Sequence, residues 1–215
     1  MGIKNKAAVD KLVSKFPAGD FAVMLFHYDG AVEQWGDLEW SRRAVHVAAP
    51  GQTKWWFAKR FLHPDVVAEY DYVSVWDEDV EVDAFDPARY LAAVRQEGLK
   101  VSQPTLDRRS EIHHAITTRA RGPGPPGGVH GRVRDARCGD GGGAGAGPPC
   151  VGSRTAWRMV QNDLVHGWGL ECSTTGSATA RDRAANVGVV DSEYVLHAST
   201  AACPCSAASR RGGPR

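Results

Sequence analysis

The sequence predicts an α/β domain built on a mixed, partly parallel sheet with flanking helices. Three observations point there. Short runs of β-branched and aromatic residues at 21–26, 44–48, 72–76 and 101–104 alternate with stretches of helical periodicity. Those helical stretches carry their own start or stop residues. The chain has 215 residues, enough for one ordinary domain with a core. Strands that alternate with helices imply a sheet covered by helices.

The elements follow in order. Val9, Leu12, Val13 and Phe16 recur at helical spacing, and Pro17 stops that helix. Residues 21–26 form an apolar strand that runs into His27, Tyr28, Asp29 and Gly30, where Asp-Gly marks a turn. Residues 44–48 make a second strand. Thr53 caps a helix carrying Trp56, Phe57, Arg60 and Phe61, which Pro64 ends. Val66, Val67 and Tyr70 suggest one more helical turn. The strand at 72–76 is expected at the centre of the sheet, flanked by 21–26 and 44–48. Asp86 is a good N-cap, Pro87 suits the first helical position, and Gly98 is placed for the C-terminal cap.

Composition then changes. Eleven of the 24 glycines fall between Gly122 and Gly147, and no Phe, Trp or Tyr occurs between His114 and Trp157. So little apolar surface cannot offset the entropy of ordering, so residues 120–152 are expected to be a disordered insert and 198–215 a disordered tail. The domain is expected to comprise 1–119, resuming over 153–197. Within that second part, Trp157, Val160, Leu164 and Trp168 share a helical stripe, and residues 186–197 contain strand-like runs ending on His197.

The stretch Asp77-Glu78-Asp79 closes the apolar run at 72–76 with three carboxylates. Ligands of open α/β sheets bind at the carboxyl ends of strands. Carboxylate oxygens suit Mg²⁺ or Mn²⁺, and such a cation also takes phosphate oxygens. The D-x-D pattern therefore reads as a metal and nucleotide-diphosphate site. Its plain alternative is a solvated acidic turn.

Other functions find little support. Net charge is +1, from 26 basic and 25 acidic residues, so nothing draws the chain as a whole to nucleic acid. The arginines of the glycine-rich segment lack interleaved aromatics. The cysteines number five, an odd count, and no paired C-x-x-C pattern occurs. His113-His114 and Cys203-Pro204-Cys205 have no partner pair at zinc spacing. No apolar run reaches the roughly 20 residues that span a bilayer, and the first residues lack the apolar core of a signal peptide.

Four segments carry a resemblance: residues 21–30, residues 53–64, the stretch Trp76-Asp77-Glu78-Asp79, and residues 161–169, which read Gln-Asn-Asp-Leu-Val-His-Gly-Trp-Gly. They closely resemble the plant "domain of unknown function 707" family, also labelled lysine-ketoglutarate reductase trans-splicing related. No G-x-G-x-x-G fingerprint supports reductase chemistry. The family is remotely similar to the GT-A glycosyltransferases, and that likeness implies a Rossmann-like sheet, a divalent cation (Mn²⁺ or Mg²⁺), a nucleotide-sugar donor, and a glycan or small-molecule acceptor. By position, Asp77 and Asp79 resemble the D-x-D that holds metal and diphosphate. Asp163 resembles the acidic residue that serves as base or orients the acceptor, His197 the C-terminal metal-ligand histidine, and Asp29 a nucleoside contact.

Each residue has a plainer role as well. Asp163 can cap a helix, and His197 can be an ordinary strand-end histidine. The stretches 120–149, 171–183 and 198–215 do not look like family sequence, and they resemble GC-rich coding sequence read in a wrong frame. Family resemblance also implies a Golgi location and an N-terminal membrane anchor, which this sequence lacks. The fold is accordingly expected to be incomplete and the chain possible as an inactive fragment. The competing reading is a non-catalytic, storage-like or scaffold protein that keeps a degenerate transferase fold.

Overall fold

The computed structural model describes residues 1–110, 118–119, 129–130, 151–152, 157 and 187–197. Asp163, the stripe beyond Trp157, nearly all of 120–149 and the whole of 198–215 lie outside these residues. The architecture is mixed α/β, with three α-helices, three short 3-10 helices and eight strands among the described residues.

Helix α1 runs Lys6–Ser14, α2 Lys54–Phe61 and α3 Pro87–Gln96. The capping signals act as expected from sequence. Thr53 accepts a hydrogen bond from the Trp56 N–H, and Asp86 accepts from the N–H groups of Ala88 and Arg89. Gly98 takes φ 64° after α3, a left-handed angle that favours glycine. Residues 63–70 form successive turns, with the Val66 and Val67 N–H groups both donating to the His63 carbonyl.

Strands β1 (Met24–His27) and β2 (Val45–Ala48) pair in parallel as a two-stranded sheet of their own. The larger sheet has the order β3-β7-β5-β8-β4, where β3 is Val73–Ser74, β4 Val80–Glu81, β5 Val101–Leu106, β7 Val151–Gly152 and β8 Val187–His197. Strand β6 (Val129–His130) also pairs with β8.

This arrangement corrects the placement expected for residues 72–76. Only Val73 and Ser74 enter a ladder, at the end of the larger sheet and antiparallel to Val151–Gly152, with β1 and β2 in a separate sheet. The periodicity is met by partial burial: Tyr72 and Trp76, each partly buried, pack against the main core without central pairing. The central position belongs instead to the parallel pair β5–β8. Their register jumps from Pro104↔Val190 to Thr105↔Tyr194. Proline has no N–H to give to a ladder, so a break there is physically natural. Asp191, Ser192 and Glu193 fall within this register shift, and the Glu193 carboxylate accepts the Asp86 N–H at 2.8 Å at the start of α3.

Two apolar clusters share α1. Leu12 joins Val80, Val82, Phe85, Tyr90, Val94, Leu106, Val190 and Val195, while Val9 and Val13 join Leu25 and Trp35. One helix thus holds the small sheet against the large one through residues three and four apart.

Candidate functional site at the acidic turn

Strand β3 ends at Ser74, β4 begins at Val80, and the acidic residues lie in the turn between them. β4 is short but its register is informative. Val80 pairs with His197 and Glu81 with Leu196, antiparallel. The last residue of β8 is thereby brought beside the acidic turn, although more than a hundred positions separate them in sequence.

The three carboxylates take three directions. Asp79 Oδ1 lies 3.6 Å from His197 Nε2, within ion-pair reach but beyond a hydrogen bond. Both Asp77 oxygens lie 2.7 Å from Lys54 Nζ, the first residue of α2. Glu78 accepts from the Tyr28 hydroxyl and the Gly2 N–H, each at 2.5 Å. Its separation from Asp77 and Asp79 matches the alternation expected of a strand end, although the backbone here is a turn.

His197 is almost fully buried, its backbone N–H donates to Ser110 Oγ at 3.0 Å, and neither ring nitrogen has a hydrogen bond among the described residues. A buried imidazole without partners is uncommon, because burying a polar group unpaired costs roughly 1–3 kcal/mol. Burial also pushes the Asp79 carboxyl above its ordinary range; His197 opposes that shift, while Asp77 and Glu78 add to it. Both groups would gain from a cation between them.

Asp29 follows β1 and is already engaged: Oδ2 accepts from the Ile3 N–H at 2.7 Å and Oδ1 from the Ala31 N–H at 3.0 Å. Burial raises its carboxyl, but these donors outweigh burial and leave it lowered. Asp29 and Glu78 both hold residues 2–3, so the first strand end and the acidic turn are neighbours. Asp163 falls outside the described residues.

Three groups were missed in the sequence. Lys54 stands right after its N-cap, where a basic side chain is poorly placed for the helix dipole; that was the available signal. Glu193 is buried and pairs with Arg89 Nε at 3.0 Å. His27 and His46 stack in parallel strands, with His27 Nε2 and His46 Nδ1 2.8 Å apart. Only the parallel pairing, invisible in a linear sequence, brings them together.

For a divalent cation these residues fit in part. Asp79 and His197 offer an oxygen and an imidazole nitrogen, suited to Mn²⁺. Asp77 is held by Lys54, and among the described residues no three His, Cys, Asp or Glu side chains converge as a metal-binding group. No described helix is long and apolar enough to cross a membrane.

The fold and this turn define a mixed α/β protein with an acidic site at a strand end. The chain belongs to the family described as "Protein of unknown function (DUF707)", which it matches over residues 1–211. That match is wider than the four resembling segments and runs across the glycine-rich stretches. No curated protein and no solved structure matches the chain.

Proposed function

We propose that this chain is a GT-A-type, glycosyltransferase-like protein that uses a nucleotide-sugar donor and a glycan or small-molecule acceptor, with Mn²⁺ or Mg²⁺, in the Golgi. The observation that supports this reading is the approach of Asp79 and His197 to 3.6 Å, with a buried imidazole whose ring nitrogens lack hydrogen bonds. Both were singled out from sequence by the transferase resemblance. Asp79 and His197 would hold the cation; Asp77, the other carboxylate of the D-x-D, would add a ligand only on leaving Lys54, which holds both of its oxygens. When bound, a divalent cation supplies charge stabilisation for the leaving diphosphate. Asp29 keeps acceptor capacity for a nucleoside hydroxyl, since each carboxylate oxygen accepts more than one hydrogen bond. Asp163 is assigned as acceptor base from the resemblance alone.

A thermal-shift experiment tests this. Mn²⁺ plus uridine diphosphate should stabilise the parent by about 2.7 kcal/mol at a hundredfold excess over the dissociation constant. Asp79→Asn should abolish that gain. Without metal, Asp79→Asn should be as stable as the parent or slightly more so, because burial and neighbouring carboxylates disfavour the Asp79 charge.

One observation favours the second reading, a non-catalytic protein with a degenerate transferase fold. Lys54 occupies both oxygens of Asp77, as an internal salt bridge would in a site that no longer takes metal. A parent that shows no shift with Mn²⁺ and nucleotide, and loses several kcal/mol in Asp79→Asn without metal, would favour that reading.

A further inference from the structure

We infer that Arg108, Arg109 and Arg119 form an anion site for a diphosphate group, with the positive charge supplied by the chain itself. The choice of a diphosphate rests on the nucleotide-donor reading above. Strands β5 and β8 are parallel, and Leu106 pairs with Val195 towards their carboxyl ends. Ligands of open α/β sheets bind outside such ends. The turn at 107–110 follows β5 there, and Ser110 Oγ accepts the His197 N–H at 3.0 Å. The arginines therefore adjoin the strand end that carries His197.

The three residues are fixed close together. The Arg119 N–H donates to the Leu106 carbonyl at 2.9 Å. Arg108 Nε and Nη2 donate to the Arg119 carbonyl at 3.1 and 3.0 Å. The Arg119 guanidinium lies over the Tyr194 ring, 4.2 Å from its centroid.

Two of the three charges are held by neutral partners. Arg108 rests on a carbonyl and Arg119 on an aromatic face, and among the described residues neither pairs with a carboxylate. Arg109 does, at 2.9 Å from Asp107 Oδ1. Asp107 also feels the Arg119 charge, and Glu81 acts on Arg109 from further away. Three guanidiniums against two carboxylates leave a positive excess. Arg108 and Arg109 are exposed and Arg119 is partly buried, so a dissolved anion can reach them. A guanidinium fork matches two phosphoryl oxygens at once. One laid flat on a ring keeps its in-plane N–H groups for such a ligand.

The test titrates pyrophosphate, uridine diphosphate and uridine into the full chain by calorimetry, with a chelator present. The parent should bind both phosphate compounds, less tightly as salt rises. Arg119→Gln should weaken both roughly ten- to a hundredfold, as expected for losing hydrogen bonds to a charged group. Arg108→Gln should act in the same direction. Tyr194→Phe keeps the ring and should bind as the parent does, whereas Tyr194→Leu removes the platform under Arg119 and should weaken binding. Equal affinity in the parent and a folded Arg119→Gln overturns the site, and so does uridine bound as tightly as uridine diphosphate. Should Arg119→Gln not fold, Tyr194→Leu decides in its place. A parent that binds neither phosphate compound without metal also overturns the site, while a Mn²⁺-dependent response to uridine diphosphate would leave the transferase reading standing. Uridine diphosphate bound no more tightly than pyrophosphate, with both weakened in Arg119→Gln, supports the anion site and counts against a nucleotide donor.

Discussion

Among the described residues, two histidines known to be buried close strands, His27 at the end of β1 and His197 at the end of β8, and their surroundings differ. His27 belongs to a hydrogen-bonded series through Nε2, while its Nδ1 has no hydrogen bond among the described residues. His46 Nε2 lies 3.0 Å from the Ser41 carbonyl, which only accepts, so that nitrogen donates. In a neutral His46 ring Nδ1 then accepts, and His27 Nε2–H donates to it at 2.8 Å. The His27 ring also meets Trp35 edge to face at 5.4 Å. His197 is packed as tightly, yet neither of its ring nitrogens is hydrogen-bonded among the described residues, and its nearest charged neighbour is Asp79. Burial is common to both. What separates a core histidine from a candidate ligand is the set of partners at the ring nitrogens.

The sharpest way to break this comparison is to weaken the ground under one side. The β4–β8 register that brings His197 to Asp79 stands on the larger apolar cluster, in which Phe85 is buried against Phe16, Trp76 and Tyr90. Phe85→Ala should cost about 3–5 kcal/mol in denaturant unfolding. A loss under about 1 kcal/mol would mean that this packing does not support the site.

A smaller effect sharpens the other side. Burial, then His46, pushes His27 down from 6.5 to about 4. Between those values the unfolded chain binds the proton more readily than the folded one. Stability from the neutral ring is therefore full above pH 6.5 and is lost as pH falls towards 4, by about 3 kcal/mol in all. Unfolding curves at successive pH values should show that slope, and His27→Gln should flatten it. An equal slope in the variant would place the acid sensitivity elsewhere.

Much of the local structure was legible because its causes are local. Thr53, Asp86, Pro87 and Gly98 mark helix ends through hydrogen bonds or backbone angles within a few residues. The run 72–76 was read as central because alternating apolar residues look alike whether they bury beside a ladder or within one. Its short pairing, and the separation of β1–β2 from the larger sheet, depend on which strand finds β5, a long-range choice. Of the site, Asp77, Asp79 and His197 were named from sequence, with Asp29 as a nucleoside contact. Lys54 was not, because its importance lies in a contact between the start of α2 and a turn 23 positions away. Asp163 lies outside the described residues.

The most direct test of the central distinction reads both histidines at once. Ring ¹H–¹⁵N spectra of the full chain can be followed during titration with substoichiometric Mn²⁺, whose unpaired electrons broaden nearby signals. Broadening should appear first at the His197 ring and vanish in Asp79→Asn, with the His27 and His46 rings affected only at higher Mn²⁺. If His197 stays sharp while the chain is folded, or if all three rings broaden together, His197 is a core histidine like His27 and the acidic turn is not a cation site.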